Sequence, residues 1–377
     1  MSSILAFGFN KFQQLNCLQL LLLSLQEQEI SDHYCSRECS SARPFNKVFN
    51  LKLDYCESPY MIRNEYPQVN SQFLFSWSYC LVIIDNTLFL CGFLGGISNS
   101  SKSLKTPNGK TICQASCNRR QVLCVTEDGC CWQYNVETDL WKDLTNILLS
   151  DVDICDEDTS PVIITKVCCG ELVTAILTSK GEVFNWPNKL TLPSVKVKDI
   201  ACGRAHIILL SDNGQVFSVG EGSRGQLGHG ELEAEEEPRL VEGLAGLTVV
   251  AVACGGWHSC AVTADGDLYT WGWNMSGQLG LQTSKAGSGV SVQALPVAVE
   301  YPHNEDIKVI SAACGARHTV SLTEGGGVWV CGWNGYGQLF LPDVDCVDQM
   351  TQIVVPDNLP VRQILCGPWN SCLITQS

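Results

Sequence analysis

At 377 residues, 45% of them hydrophobic and only 17% charged, the chain is long and apolar enough to bury a large core, which excludes a disordered polymer. Its 24 basic and 39 acidic residues leave a net charge of −15. That balance argues against a surface tracking nucleic-acid phosphates, so no direct DNA contact is expected and a basic partner is easier to accommodate.

Residues 6–16, AFGFNKFQQLN, match residues 270–280, TWGWNMSGQLG, position for position, with aromatic-Gly-aromatic-Asn kept. This is the back half of a repeat unit lacking its front half. The apolar run at residues 15–25 is too short to span a bilayer and has neither the basic lead-in nor the cleavage site of a secretory leader. No membrane association is expected. Residues 17–72 follow no repeat pattern and read as irregular loops or insertions. Residues 77–93 then repeat 257–273 at an offset of 180 and form the first complete hairpin.

Two further hairpins follow at residues 115–135 and 168–186, turning at Asp128-Gly129 and Lys180-Gly181. Residues 136–166 again defeat the repeat template, and their acidic stretch 151–159 reads as solvated loop. From residue 201 the pattern is strict. Cys-Gly dipeptides at Cys202, Cys254, Cys314 and Cys366 lie 52, 60 and 52 residues apart, the period of a propeller or a similar array. The interval from Cys169 to Cys202 is only 33 residues, so that unit is expected to omit a loop or an outer strand. The last unit stops where its second half should begin. If residues 1–16 supply that half, the ends share a blade and the sheet closes without a free edge. Seven anchors, near Leu74, Cys117, Cys169, Cys202, Cys254, Cys314 and Cys366, predict an all-β, seven-bladed β-propeller occupying residues 1–377 as one domain.

Half of the 22 cysteines fall on three template positions, as small buried strand residues would. They read as reduced thiols of a cytosolic or nuclear protein. Cys35/Cys39 and Cys113/Cys117 have ligand-like spacing, but no second pair completes a zinc site. In Cys130-Cys131 and Cys168-Cys169 the neighbours should point to opposite strand faces. No metal or cofactor is expected.

The unit CGxxH, hairpin, WGWNxxGQLG and proline-containing loop resembles the repeat of the regulator-of-chromosome-condensation family, strictly over residues 195–374 and more loosely over 3–186. The resemblance implies a seven-bladed propeller whose loops bind other proteins. It further implies, by likeness to the family's small members, an adaptor or regulatory partner of a JmjC-domain histone demethylase or hydroxylase. Such a chain would act in histone H3 methylation at centromeric repeats and in chromosome segregation. Its implied places are the nucleus and chromosome, with the cytoplasm as a second compartment. Histones or nucleosomes are further implied partners, and a monomer is expected before complex formation. The alternative from another class is guanine-nucleotide exchange on a small nuclear GTPase. That activity uses a wedge hairpin in one blade, and no matching insertion is found here.

No nucleophile-base set or carboxylate pair stands at a definable spacing, so the chain is expected to be non-enzymatic. His206, His258 and His318 share one repeat position, replaced by Asn370 in the last unit; repetition favours a structural hydrogen bond. In the exchange-factor branch the matching histidines face the partner, which keeps them as candidate contacts. Arg204, Trp257, Arg317 and Trp369 follow the Cys-Gly loops and are the residue types of interface hot spots, either forming a patch on one face or packing on neighbouring blades. Gly225, Gly277 and Gly337 open the GQL turns and require positive φ. Trp271, Trp273, Trp329 and Trp333 read as blade filler. The run 231–237, with Glu231, Glu233, Glu235, Glu236 and Glu237, is either solvated loop or a dock for a basic partner.

Overall fold

Each repeat folds into strands because small apolar residues alternate with polar ones between glycine-closed turns, and each resulting sheet then needs a neighbour to cover both faces. The computed structural model describes residues 2–8, 61–66, 72–84, 86–94, 97–150, 161–192, 195–281, 291–302 and 307–376. Residues 17–60, the remainder of the 6–16 motif from residue 9 onward, and the acidic stretch 151–159 lie outside them.

Two strands, β1 (Ser2–Gly8) and β2 (Met61–Tyr66), precede the first complete blade. Blade 1 is β3 (Gln72–Phe75), β4 (Tyr79–Ile84), β5 (Thr87–Leu94) and β6 (Ile97–Leu104). Blade 2 is β7 (Ile112–Cys117), β8 (Gln121–Thr126), β9 (Cys131–Asn135) and β10 (Leu140–Asp143), followed by the short helix α1 (Thr145–Ser150). Blade 3 is β11 (Ile164–Cys169), β12 (Thr174–Thr178), β13 (Val183–Asn185) and β14 (Asn188–Lys189). Blade 4 is β15 (Val197–Cys202), β16 (His206–Ser211), β17 (Val216–Gly220) and β18 (Glu235–Leu240). Blade 5 is β19 (Val249–Cys254), β20 (His258–Thr263), β21 (Leu268–Trp273) and β22 (Val292–Ala298). Blade 6 is β23 (Val309–Cys314), β24 (His318–Thr323), β25 (Val328–Trp333) and β26 (Cys346–Gln352). Blade 7 combines β27 (Val361–Cys366) and β28 (Asn370–Gln376) with β1 and β2 in the order β2-β1-β28-β27.

The predicted seven-bladed propeller is therefore the fold. The ring is closed by β1, which pairs with β28 without interruption from Ser2↔Gln376 to Gly8↔Asn370. Adjacent β1 side chains serve both neighbouring seams. Leu5 enters the cluster between blades 6 and 7 with Val330, Leu339 and Leu373, while Ala6 enters the one between blades 7 and 1 with Phe73, Phe75 and Val82. Cys168 and Cys169 likewise diverge, to the seams of blades 3 and 4 and of blades 2 and 3.

The template intervals gain definite elements. Residues 136–166 contain β10, α1 and the start of β11, and the outermost strand of blade 7 lies at Met61–Tyr66, within 17–72. Outer strands are covered on one side only, so their sequence carries less of the apolar alternation that identifies inner strands. Of the two expected ways to shorten blade 3, a lost loop or a lost outer strand, the structure takes the first. The blade keeps all four strands by pairing Asn185 with Asn188 across the two residues Trp186-Pro187, and shrinks β14 to two residues.

Leu5 is fully buried at the closing seam. Leu5→Ala is expected to destabilise the fold by about 2–5 kcal/mol, read as a lower denaturant midpoint. The exposed Val354→Ala should stay within about 0.5 kcal/mol of the parent.

Candidate functional site: the arginine and tryptophan mouth of the channel

The innermost strands β3, β7, β11, β15, β19, β23 and β27 all run toward one face, where the Cys-Gly loops emerge around a cavity of about 770 Å³. Every blade contributes a charged or aromatic residue of its Cys-Gly loop position to the wall: Trp77, Arg119, Glu171, Arg204, Trp257, Arg317 and Trp369 in blade order. Backbone hydrogen bonds stitch these loops together. Leu172 N donates to Arg204 O (2.8 Å), Arg204 N to Gly256 O (3.2 Å), Gly256 N to Gly315 O (3.1 Å), and Ala316 N to Pro368 O (2.8 Å). From blade 3 to blade 7 the mouth is thus a stapled rim rather than a set of independent loops.

Beneath it, glycine is demanded by closeness. A Cβ at Gly203, Gly255 or Gly315 would overlap the histidine ring of its own unit and stand 2.7, 2.5 or 2.7 Å from the glycine carbonyl of the next blade. The histidine then reaches across the seam. His206 Nε2 contacts Ser259 Oγ at 2.8 Å, His258 Nε2 contacts Thr319 Oγ1 at 2.9 Å, and His318 Nε2 contacts Ser371 Oγ at 3.0 Å. The Ser259 and Thr319 hydroxyls donate in turn to the Gln226 and Gln278 carbonyls, at 2.9 and 2.7 Å. With each hydroxyl proton so committed, the network assigns the Nε2–H tautomer to His206 and His258.

These three histidines are fully buried, which corrects their candidacy as partner contacts: their repeat position is a lock between blades. Gln226, Gln278 and Gln338 are also fully buried, and Gly225, Gly277 and Gly337 have φ of 71°, 79° and 76°, as the GQL turn requires.

Arg204, Trp257, Arg317 and Trp369 do come together at the mouth, joined by residues that repeat logic missed. The guanidinium of Arg204 lies 5.5 Å from the Trp257 ring and that of Arg119 lies 5.3 Å from Trp77. Trp273 holds two, Arg317 at 4.9 Å and Arg224 at 5.6 Å. Trp369 meets Trp333 edge-on at 5.3 Å, and Tyr336 completes the aromatic group. Trp273 and Trp333 therefore depart from the filler role that Trp271 and Trp329 do fill. The strand register shifts at Gly272 and Gly332, both at φ 108°, and the indole that follows this bulge enters the cavity wall as Trp273 and packs against Trp369 as Trp333. The second tryptophan after glycine in WGWN was the available signal.

Among the described residues no carboxylate forms an ion pair with Arg119, Arg204, Arg224 or Arg317, and Glu171 is the single acid of the cavity wall. The acidic run lies apart, passing from the β17–β18 connection into the start of β18. Its charges are partly used: Arg239 donates to Glu231 at 3.2 Å and to Glu235 at 2.7 Å, and Glu237 Oε2 accepts from Thr191 N at 3.0 Å. Glu233 and Glu236 remain exposed.

Thiols line the channel below the rim, and the described cysteines are all free. Burial pushes Cys117 up to about 12 and also raises Cys254 and Cys366, so these sulfurs are held as inert thiols. Cys113 is exposed while Cys117 faces the channel, so that pair does not converge. His258, Cys260 and Cys314 do converge, within 4.8 Å of one another across the seam of blades 5 and 6, a grouping hidden by its sequence separation. The two sulfurs touch at 3.1 Å. Sulfurs sharing a tetrahedral zinc ion at about 2.3 Å each would stand roughly 3.8 Å apart, so the contact is that of a buried thiol pair.

A closed ring of antiparallel four-stranded blades, keyed by CGxxH and GQLG, defines the class as a repeat-built β-propeller with a loop-lined axial mouth. The chain belongs to the RCC1-repeat propeller family. Profiles of the regulator of chromosome condensation (RCC1) repeat match residues 213–262 and 265–322, and, in a second form, 197–226, 249–278 and 309–338. RCC1 domain-containing protein 1 of Homo sapiens is 39% identical over 213 residues, covering 48% of this chain and 56% of that protein. The match therefore spans about half the length of that relative. The crystal structure of human WBSCR16 superposes with a TM-score of 0.73 at 17% identity, covering 100% of this chain and 99% of that one. Prp20p from Saccharomyces cerevisiae gives 0.73 at 16% identity, covering 100% and 92%.

The histidine lock carries a pH signature. Burial first, and the charge of nearby His258 second, lower His206 and His318 to about 3 from the ordinary 6.5. The unfolded chain therefore binds protons that the folded chain refuses between those values. Their stabilisation is complete above pH ~6.5 and is lost as pH falls, by about 1.4 kcal/mol per pH unit for each histidine. Denaturant midpoints compared at neutral and mildly acidic pH should show this slope. His318→Asn, which copies Asn370, should remove one histidine's share of it.

Proposed function

We propose that this chain is a non-enzymatic interaction propeller. In this reading it is the adaptor or regulatory partner of a JmjC-domain histone demethylase or hydroxylase, in chromatin regulation and chromosome segregation. It works in the nucleus and on chromosomes, as a monomer until it joins its partner, with histones or nucleosomes reached through the complex.

The observation that carries the reading is the mouth itself. Four guanidiniums and a group of indoles are presented on a rigid rim, and the arginines have no carboxylate partners among the described residues. Arginine and tryptophan contribute most to interfaces when a partner desolvates them, and a pre-ordered rim lowers the entropy lost on docking. Membership of the RCC1-repeat family and the 39% likeness to RCC1 domain-containing protein 1 support a propeller that works by binding.

The test is binding between the full-length chain and a full-length JmjC-domain oxygenase, measured by calorimetry. Arg204→Ala with Arg317→Ala is expected to weaken the complex by roughly tenfold or more at unchanged Tm. Absence of binding by the parent proteins at micromolar concentration would remove the proposal. Accelerated nucleotide release from a small nuclear GTPase would replace it with the exchange-factor reading.

A further inference from the structure

We propose that the mouth receives a short acidic protein segment, its carboxylates meeting the arginines and its apolar side chains meeting the indoles. This rests on the reading of the mouth as the docking surface and names what docks there.

Charge placement is the first argument. The chain carries an excess of 15 acidic charges, yet among the described residues the channel wall gathers four arginines against Glu171 alone. Elsewhere the fold neutralises an exposed arginine internally, as Glu231 and Glu235 do for Arg239. At the mouth it stacks arginine on tryptophan instead. A guanidinium lying against a ring keeps its edge N–H donors available, and that edge matches a carboxylate in bidentate geometry.

The geometry at Trp273 is the second argument. Arg224 from blade 4 and Arg317 from blade 6 are both held to this one ring of blade 5. Two like charges gathered there repel each other, and an anion between or beside them relieves that cost. Trp257, Trp369 and Trp77 supply the apolar wall around the same opening.

Size and surroundings select a peptide over a nucleic acid. A cavity of about 770 Å³ lies in the range that encloses small ligands or a few residues and admits no duplex. A longer polyanion leaving the mouth past Arg224 would meet Glu231 and Glu233 in the same β17–β18 connection and Glu236 at the start of β18. A protein segment can place basic residues against those glutamates, whereas a phosphate backbone is repelled by them.

The experiment is fluorescence anisotropy on the full chain with a fluorescein-labelled peptide alternating aspartate and phenylalanine. A lysine-phenylalanine peptide and a labelled single-stranded oligothymidylate are its comparators. The acidic peptide should bind, lose affinity as salt rises, and weaken roughly tenfold with Arg204→Ala and Arg317→Ala combined. Arg204→Lys with Arg317→Lys should recover only part of that loss, and Arg239→Ala should leave binding unchanged. No binding of the acidic peptide, equal binding of the lysine peptide, or tighter arginine-dependent binding of the oligonucleotide would overturn the proposal. If the oxygenase still binds through the arginines while the peptide does not, the docking surface stands and the acidic segment falls. If the acidic peptide needs the arginines but the oxygenase does not, the segment stands and that partner falls.

Discussion

One contact recurs at the seams of the strict units and holds the rest in place: an imidazole reaches across to the hydroxyl of the next blade. At two seams that hydroxyl is simultaneously spent on the carbonyl of a GQL turn. Three polar groups are thereby buried at once, and each has a use for the next. The histidine fits only because glycine follows the cysteine, and the glycine's missing side chain brings the next blade's carbonyl into van der Waals range. In blade 7 Asn370 takes the histidine position, and the sheet of that blade is completed by the uninterrupted β1–β28 ladder.

That lock has an outward consequence. Because the loops above it are bonded to one another from blade 3 to blade 7, the side chains that follow the glycine there are delivered to fixed positions around one opening. The scaffold is indifferent to their identity. Arginine and tryptophan at those places are therefore free to serve recognition, and their stacked pairs are pre-ordered before any partner arrives. Acid and base are also segregated on this face: the arginines occupy the centre, and the glutamates near blade 4 are partly consumed by Arg239 and by the Thr191 amide.

The repeat period, the closing role of the N-terminal motif and the turn glycines were legible in the chain because each is a local or periodic demand. Cys-Gly spacing counts blades, and WGWNxxGQLG marks a strand followed by a left-handed turn. The role of the histidines was legible only in part. Repetition argued for structure, but that the imidazole bonds to the neighbouring blade, rather than facing a partner, depends on which hydroxyl lies 53 or 61 residues away. Trp273 and Trp333 misled for a related reason, since two-residue alternation says nothing of the bulge at Gly272 or Gly332 that redirects them.

The amino-acid sequence by itself thus determined that the chain is a ring of hairpin repeats, how many there are, and where the turns must be, because periodic burial and positive φ are written residue by residue. Only the tertiary structure decided which side chains share the mouth, since Arg119, Arg204, Arg224 and Arg317 come from three different blades and Arg224 from a connection that no Cys-Gly anchor marks. Closing the ring converts positions far apart along the chain into neighbours around one axis. The same closure gathers positive charge in the mouth of a strongly acidic protein, a distribution that net charge cannot convey.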